Sequence, residues 1–575
     1  MSAPLAALSA TSSVVQGLDA WFVELGDDFL GRAPADSLRP GMVEGWRIRW
    51  RGRELTVQVD ADFPFSAARV YLAGYSRAQA QPHVEKDGKL CLRSKAVPGD
   101  RIRTVQAALA EAFKLLAENE TRVHDEDFRE DFGLYWSNWA DRPDLRVEVT
   151  PGPQGAGKTI LGRAALTERC VFVFPSKIYA DKFCTNMTGG APKWLKETPV
   201  ISIDPLPAPD RYPETADELW ALVGARSEHG INLLTRLMAN TPKEAFVVLA
   251  GRAPSGREHY AAMYLSRPMD REGKSVKRRV MRRGIEKSEE SARALFERFK
   301  LDRLATRRMD SSSSRLPEGV QRQLAYAKVI IVGCGALGSG IARMLAQAGV
   351  EHLRLIDPDN LGWENIRRHE LGGSAVGYGK AKTLATSIRA ALPMIGFVEG
   401  YPTTFATFAR EHPEALKQAD LIVSCTGDWT ADSSVEHALT KPGHKSSAIY
   451  GWMEVHALAS HAVFLNNTGA RLADGFDETG RFCLPVVEGG RPAPPECGGT
   501  TTTFGAVELS QAQALVARLS IDALRGLETA PTWHSWLADS IAFDEAEAAV
   551  ASGWVAARGQ PDDAGGFYAD KWSFP

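Results

Sequence analysis

The sequence has few cysteines, and none of them has the paired spacing that metal sites use. The seven cysteines form no C-x-x-C pair and stand at positions 91, 170, 184, 334, 425, 483 and 497. Structural zinc sites draw on such pairs, and small secreted domains draw on regular cysteine frameworks. We therefore expect neither a zinc cluster nor a disulfide scaffold, and any functional cysteine should act as a thiol.

Long apolar runs and a surplus of charge of one sign are also missing. No uninterrupted apolar stretch approaches the roughly 18 residues that cross a bilayer, and no basic residue precedes Arg32. The net charge of -3 argues against a protein built to hold nucleic acid, because such binding uses many Lys and Arg side chains. We expect a cytoplasmic protein with no membrane and no nucleic-acid partner.

The length of 575 residues exceeds what one hydrophobic core supports and predicts about three or four domains. Residues 1–142 place short strands before one helical run, which is typical of an α+β domain. Residues 143–302 are interpreted as a mixed α/β central or linker domain. Residues 303–575 alternate strands and helices, which predicts a doubly wound, Rossmann-like α/β domain.

Two glycine-rich loops compete as nucleotide sites. The first, G-P-Q-G-A-G-K-T at residues 152–159, matches the phosphate-loop pattern, in which Lys158 and Thr159 would hold phosphates and Mg²⁺. However, the preceding strand alternates charged and apolar residues, the following apolar stretch gives only a short helix, and Asp204 is the one supporting carboxylate. We interpret this loop as a Gly-rich hairpin.

The second loop, G-C-G-A-L-G, carries Gly333, Gly335 and Gly338 between an apolar strand and a helical pattern. Asp357 ends the next strand, where an acid can bind a ribose hydroxyl. This context predicts nucleotide binding. The fingerprint alone favours an NAD-dependent oxidoreductase, and a non-catalytic scaffold is a further alternative.

The residues that follow change this interpretation, because they collect amide and cationic groups. Asp359, Asn365 and Arg368 follow within eleven residues of Asp357, and Lys382 comes shortly afterwards. Such a set suits attack on an α-phosphate, where negative charge must be stabilised as pyrophosphate departs. The strand A-D-L-I-V-S-C-T-G-D-W then delivers Asp428, a carboxylate suited to Mg²⁺.

In this order the glycine loop, D-x-D, N-x-x-R, Lys382 and C-T-G-D resemble the ubiquitin-activating superfamily, including the ThiF and MoeB adenylyltransferases, over about residues 303–525. The resemblance implies that ATP and Mg²⁺ adenylate the C-terminal carboxylate of a protein cargo. By the same resemblance Asp357 binds the ribose, while Asn365, Arg368 and Lys382 bind phosphates. Arg368 and Asp428 then count as catalytic, Asp359 as nucleotide-binding and Asp428 as a metal ligand.

Many members of that superfamily capture the activated cargo on a cysteine. Cys497, in P-P-E-C-G-G-T-T-T-T, stands in the corresponding position. Cys483 stands where relatives carry half of a zinc-binding C-x-x-C, so its missing partner again implies no structural zinc. The resemblance also implies a homodimer formed through the adenylation domain.

The N-terminal block carries a second resemblance. D-A-D-F-P-F-S-A-A-R-V resembles the strand and turn of ubiquitin-conjugating enzymes, and H-V-E-K-D-G-K-L-C-L resembles the segment that ends at their catalytic cysteine. We therefore interpret Cys91 as a nucleophile. The family's His-Pro-Asn reads His83-Val84-Glu85 here, so another donor must replace the asparagine. His83 is a catalytic candidate, with a structural role favoured over that of a base.

A conjugating domain ahead of an activating domain resembles the bacterial fusions of cyclic-oligonucleotide-based antiphage signalling. The resemblance implies adenylation of a cargo, a thioester on Cys497, transfer to Cys91 and conjugation to an acceptor lysine. Its cargo would be a nucleotidyltransferase or, as in related fusions, a ubiquitin-like protein, and the sequence leaves this choice open.

Overall fold

The computed structural model describes residues 17–95, 97, 99–121, 126–152, 155–166, 170–191, 195–239, 243–267, 289–309, 316–441, 443–466, 469–491 and 504–574. The chain divides into two compact units. One comprises residues 1–180 and 192–310, and the other comprises residues 181–191 and 311–575. Within the described ranges, every helix is too short or too polar to span a membrane.

The first unit begins with an antiparallel sheet of order β1-β2-β3-β4 and one long helix. Its elements are α1 Leu18–Val23, β1 Phe29–Arg32, β2 Met42–Trp50, β3 Arg53–Asp60, β4 Arg69–Leu72 and α2 Arg101–Glu120. Asp100 caps α2 by accepting a hydrogen bond from the Arg103 amide. Val105 and Leu109, spaced by one helical turn, join Trp46 and Val57 in the core. The predicted order of strands before one helix is confirmed.

Two short helices, α3 Asp127–Glu130 and α4 Phe132–Asn138, lead from this domain into the next. The side chains of Phe132 and Trp136, four residues apart on α4, are fully buried in the hydrophobic cluster of the central domain. The Trp136 indole nitrogen donates a 2.9 Å hydrogen bond to the carbonyl of Leu304. Helix α4 is therefore part of the central core.

The central domain is a closed barrel of order β10-β11-β5-β7-β6-β8-β9. Its strands are β5 Arg142–Val149, β6 Ile160–Leu166, β7 Cys170–Phe174, β8 Leu195–Ser202, β9 Glu244–Arg252, β10 Glu258–Ser266 and β11 Lys300–Arg308. The helices of this stretch are α5 Lys177–Thr188, α6 Ala216–Gly224, α7 Glu228–Ala239 and α8 Glu289–Phe296. Strand β11 crosses the predicted domain boundary between residues 302 and 303.

Small and β-branched side chains fill the barrel, and a second cluster lies against α6, α7 and α8. Val147, Ala164, Val171, Val248 and Ala262 belong to the first cluster. Along β9, Val248 belongs to this cluster, whereas its neighbours Val247 and Leu249 belong to the second, so successive residues of the strand face opposite sides of the barrel wall.

The loop at residues 152–159 differs from both sequence interpretations. A short 3₁₀ turn, Gly155–Gly157, precedes strand β6 instead of the helix that a phosphate loop requires. It is not a hairpin either, because β7 lies between β5 and β6 in the barrel. The Glu258 carboxylate accepts a 2.7 Å hydrogen bond from the Ala156 amide, so a protein anion already occupies a donor that a phosphate would use.

The second unit contains an eight-stranded sheet of order β14-β13-β12-β15-β16-β17-β19-β21. Its first five strands are parallel and its last three are antiparallel. The strands are β12 Lys328–Val332, β13 His352–Ile356, β14 Phe397–Tyr401, β15 Leu421–Ser424, β16 Ser447–Met453, β17 Ala459–Leu465, β19 Thr532–Leu537 and β21 Gly566–Lys571, with β18 Val487–Gly489 and β20 Ala548–Val550 forming a separate pair.

Helices cover both faces of this sheet. They are α9 Glu318–Tyr326, α10 Ala336–Gln347, α11 Lys380–Ala391, α12 Phe405–Glu411, α13 Pro413–Lys417, α14 Trp429–Leu439, α15 Ala506–Leu524, α16 Ser540–Glu545 and α17 Ser552–Arg558. Along β12, Val329 and Ile331 enter one hydrophobic cluster, whereas Ile330 and Val332 enter another. Alternate side chains thus fill two cores, and the predicted doubly wound fold is confirmed.

We expect Trp136→Ala to lower the free energy of unfolding of the first unit by roughly 3–5 kcal/mol, because it leaves a cavity and removes one of the hydrogen bonds that the Leu304 carbonyl accepts. Leu134→Ala is a matched control on the same helix, since Leu134 is 56% exposed. It should change the free energy by less than about 0.5 kcal/mol. Denaturant unfolding followed by circular dichroism measures both, and equal losses would contradict the assignment of α4 to the core.

Candidate active sites

The glycine loop lies where the strand order of the sheet reverses. The chain runs from β12 to β13 and β14 on one side, and then returns to β15 on the other side of β12. In open α/β sheets, ligands bind at this switch point, outside the carboxyl ends of the strands. Gly333, with φ of 82°, follows β12, and α10 starts at Ala336.

The three glycines have different neighbours. A Cβ on Gly338 would lie 1.9 Å from the Gly333 carbonyl oxygen, and one on Gly333 would lie 2.8 Å from the Cys425 carbonyl oxygen. A Cβ on Gly335 would meet nothing within 4 Å. Gly333 and Gly338 therefore permit close packing of the loop, while Gly335 borders open space.

Asp357 ties the loop to the end of β13. Its carboxylate accepts hydrogen bonds from the amide of Cys334, at 2.7 Å, and from the amide of Asp359, at 2.8 Å. Burial raises the pKa of Asp357, although both amide contacts oppose this shift. The structure thus places Asp357 at the loop, with its oxygens engaged by backbone donors.

His369 supports the same loop and was missed by the sequence analysis. Its Nε2 lies 2.7 Å from the Cys334 carbonyl oxygen, and its Nδ1 accepts a 3.0 Å hydrogen bond from the Leu371 amide. With Nδ1 accepting, Nε2 carries the proton and donates. Burial lowers the pKa of His369, which favours this neutral form. In the sequence, the one indication that His369 contacts the glycine loop is its position next to Arg368 of the N-x-x-R segment.

The expected phosphate-binding residues lie on two adjoining segments after β13. Asn365 and Arg368 belong to the 3₁₀ helix Trp363–Arg368, and Lys382 lies in the first turn of α11. The segments are joined by hydrogen bonds from Leu361 N to Tyr378 O and from Lys380 N to Asp359 O, each 2.9 Å long. The structure therefore brings these groups to one end of the sheet.

Their side chains have different contacts. Asn365 Oδ1 accepts a 2.9 Å hydrogen bond from the Gly362 amide, which fixes the turn. The Arg368 guanidinium lies 5.5 Å from the centre of the Phe504 ring. Asp359 pairs with Lys380 at 3.0 Å, whereas the Lys382 side chain is exposed. Lys380 thus neutralises one of the two acids close to the loop.

Asp428 follows β15 and caps helix α14. Its Oδ1 accepts hydrogen bonds from the amides of Thr430, at 2.7 Å, and Ala431, at 3.4 Å, while the side chain is exposed. Asp432, missed by the sequence analysis, accepts hydrogen bonds from the hydroxyls of Ser424 and Thr426. Burial raises the pKa of Asp432 to about 6. Within the described ranges no three His, Cys, Asp or Glu side chains cluster in a way that could hold a metal ion.

Cys497 lies outside the described residues, but a described segment that precedes it in the chain, around residues 482–487, is well anchored. Glu454 accepts hydrogen bonds from the amides of Val486 and Val487, each at 2.8 Å, and its Oε1 lies 2.7 Å from Nε2 of the buried His461. Phe482 packs against the rings of Trp452, Trp533 and Trp572. Cys483, beside Phe482, is exposed.

The other candidate nucleophile, Cys91, is exposed at the end of a tight turn in the first unit. Its amide donates a 2.8 Å hydrogen bond to the His83 carbonyl, and its Sγ lies 3.7 Å from Glu85 Oε1. Desolvation by the surrounding protein and then the Glu85 carboxylate raise the pKa of the Cys91 thiol to about 11. The free cysteine is therefore held as a thiol near neutral pH.

His83 holds this turn in an unusual conformation, with φ of 59°. Its amide donates a 2.6 Å hydrogen bond to Tyr135 Oη, and its Nε2 lies 2.8 Å from Asp127 Oδ2. Asn119 Nδ2 donates a 2.9 Å hydrogen bond to the Pro82 carbonyl. These contacts support a structural role for His83, and a role as a base stays a prediction.

Family comparisons identify both ends of the chain. Residues 41–143 match the prokaryotic E2 family B, and residues 308–468 match the ThiF family. The chain therefore contains an E2-like conjugating domain and a ThiF-like adenylation domain, which is the domain pair of an activating and conjugating enzyme. The predicted fusion of these two classes is confirmed.

Individual relatives agree with this composition. The ATP-dependent ubiquitin transferase-like protein Cap2 of Pseudomonas aeruginosa is 24% identical over 91% of this chain and 94% of its own length. A Cap2 protein of Enterobacter hormaechei is 36% identical, but over only 18% of this chain and 17% of its own length. E. coli MccB with ATP aligns with 40% of this chain and 64% of its own, at 20% identity and a TM-score of 0.30, which is too low to support an inference.

We expect Gly338→Ala to lower the thermal midpoint of the second unit, because its new Cβ would overlap the Gly333 carbonyl. Gly335→Ala should keep the midpoint but reduce the stabilisation by ATP, since we expect the backbone at this position to approach the nucleotide phosphates. Thermal unfolding with and without nucleotide separates the two effects. A Gly335→Ala protein as unstable as Gly338→Ala would contradict the open space at Gly335.

Proposed function

We propose that this protein activates the C-terminal carboxylate of a partner protein with ATP and joins it to an amine. The observation that carries the proposal is the occurrence, in one chain, of an E2-like domain with a cysteine on its turn and a ThiF-like domain with a glycine loop at its switch point. The similarity to Cap2 along nearly the whole chain supports the same function.

In the first step a cargo carboxylate oxygen attacks the α-phosphorus of ATP, and pyrophosphate leaves. Asn365, Arg368 and Lys382 would face the phosphates, where the two cations stabilise the charge that develops. Asp357 would bind the ribose, and Gly335 would admit the phosphates to the loop backbone. Mg²⁺, when held by Asp428, would neutralise phosphate charge.

In the next steps the acyl group passes between thiols. The Cys497 thiolate attacks the acyl carbon of the adenylate and AMP leaves, and the Cys91 thiolate then displaces Cys497. The raised pKa of Cys91 suits a carrier, because a thiolate of high pKa is a poor leaving group and its thioester therefore resists water. An acceptor amine finally displaces Cys91 and forms an amide.

The chemistry of the cargo distinguishes two forms of this proposal. The favoured form is attachment of a nucleotidyltransferase in bacterial antiphage defence, and the alternative is conjugation of a ubiquitin-like protein. In either form the acceptor is a lysine amine, the protein works in the cytoplasm, and the adenylation domain forms a homodimer.

Asp428→Asn should reduce cargo-dependent exchange of pyrophosphate into ATP by at least about 100-fold, because it removes the charge proposed to bind Mg²⁺. Asparagine is as good a helix cap as aspartate, so α14 should stay intact. Asp539→Asn is the matched control, since Asp539 caps α16 in the same unit. Normal exchange by Asp428→Asn would remove Asp428 from the mechanism.

A gel assay run with and without reductant should distinguish the roles of the two cysteines. Cys91→Ala should still form a reductant-sensitive cargo thioester but no amide product, whereas Cys497→Ala should form neither and accumulate the adenylate. Cys483→Ala is the control for loss of an exposed cysteine and should behave as the wild type. Normal loading of Cys91 in the Cys497→Ala protein would replace the relay by direct transfer from the adenylate.

A further inference from the structure

The turn before Cys91 lacks the donor that acyl transfer needs. Where relatives of the conjugating domain carry asparagine, this chain has Glu85, whose Oε1 lies 3.7 Å from Cys91 Sγ. An ionised carboxylate has no proton to donate. When an amine attacks the Cys91 thioester, the carbonyl oxygen becomes an oxyanion, which is stabilised by a preorganised donor. A donor from another part of the fold must therefore face this oxygen.

Most polar groups around the turn already donate to the protein. The Cys91 amide donates to His83 O, the Asn119 amide group donates to Pro82 O, and Lys89 Nζ lies 3.0 Å from Glu85 Oε1. Tyr135 differs, because its Oη accepts the 2.6 Å hydrogen bond from the His83 amide. The phenol proton therefore points away from His83, and it has no acceptor within the described ranges.

Tyr135 also has the protonation state of a donor. Burial raises its pKa well above the ordinary value, and the charge on Cys91 raises it further, so the phenol stays neutral at physiological pH. The hydroxyl is also tied to the Cys91 turn, because the His83 amide donates to it at 2.6 Å and the His83 carbonyl accepts the Cys91 amide at 2.8 Å. The side chain is only 4% exposed, which favours strong interaction with a developing charge.

The central barrel holds this hydroxyl in place. Tyr135 lies on α4 between two residues, Phe132 and Trp136, whose rings are buried in the cluster that packs against α6, α7 and α8 of the central domain. Glu130, on α3, accepts hydrogen bonds from Ser255 N, at 2.7 Å, and Ser255 Oγ, at 2.6 Å, in the loop between β9 and β10. A rigid support of this kind is what a preorganised donor requires.

We infer that the Tyr135 hydroxyl donates a hydrogen bond to the oxyanion formed on the acyl carbon when an amine attacks the Cys91 thioester, and that the barrel positions it. In this step the amine nitrogen bonds to the acyl carbon, and the carbonyl electron pair moves to oxygen. The pair then returns, the carbon–sulfur bond breaks, and the surplus ammonium proton passes to the Cys91 thiolate or water. This inference rests on the proposed function.

The test is Tyr135→Phe in the full chain, which removes one oxygen atom. Cys91 is first loaded with cargo, and release of the cargo to free lysine is then followed in single turnover. Loss of an oxyanion donor should lower the maximal rate by about 100-fold and leave the lysine concentration for half-maximal rate unchanged. Alkylation of Cys91 by iodoacetamide forms no oxyanion, so Tyr135→Phe should change the rate of this alkylation by less than about threefold.

Tyr75→Phe is the matched control. The Tyr75 hydroxyl accepts a 2.9 Å hydrogen bond from the Gln81 amide, two residues before His83, so this variant loses the same kind of backbone contact in the same segment. It should transfer cargo to lysine at the wild-type rate. Lys89→Gln tests the rival cationic donor and should also retain most of the transfer rate.

Several outcomes would overturn the inference. A normal rate of transfer to lysine in Tyr135→Phe would do so. An equal fall in the rate of transfer and in the rate of Cys91 alkylation would also do so, because it would mean that Tyr135 only maintains the shape of the turn. If Lys89→Gln greatly lowered the rate of cargo transfer and Tyr135→Phe did not, the oxyanion donor would be Lys89. If the wild type never loads Cys91, the proposed function fails as well, whereas the other results leave that function standing.

Discussion

The burial of one short helix in a neighbouring core is the constraint on which the first unit depends. Helix α4 has seven residues, too few to be stable alone, and its Phe132 and Trp136 side chains are fully buried in the cluster of the barrel domain. On the same helix, Tyr135 bonds to the amide of His83, whose carbonyl accepts the Cys91 amide. The Cys91 turn is therefore linked through α4 to the core of the central domain.

In the second unit the main constraint is different, because the backbone of the glycine loop must come close to a nucleotide. The loop that contains Gly333 and Gly338 closes only because neither residue has a Cβ. Asp357 binds the Cys334 amide, and His369 binds the Cys334 carbonyl. Asp357 is buried and His369 is half-buried, so water weakens their contacts with the peptide less than it would at the surface. The loop is thus shaped before any ligand arrives, as preorganised electrostatic stabilisation requires.

The sequence predicted the second unit better than the first, and the reason is the range of the contacts. A glycine loop between β12 and α10 is a local pattern, and its acid and cations follow in chain order. The barrel instead pairs strands that are distant in sequence, such as β5 with β11. Strand β6 misleads because I-L-G-R-A-A-L contains good helix formers, and the barrel pairing of its backbone overrides that propensity. His369 and Tyr135 carry no motif, since only the fold brings them to their partners.

The thiol chemistry explains why the support of the Cys91 turn matters. In the proposed mechanism, a thiol whose pKa is raised to about 11 would give a thiolate that leaves slowly, so the barrier to amide formation would be lowered mainly by stabilising the tetrahedral intermediate. Glu85 beside the sulfur disfavours both the thiolate and the oxyanion, and its effect on the oxyanion must be offset by a donor held in place before the amine arrives. A donor on a flexible loop would stabilise the oxyanion less, because ordering the loop costs conformational entropy. Under the proposed mechanism, a phenol on a helix fixed by the core of the central domain would avoid this cost, which would give that domain a physical role in the chemistry at Cys91.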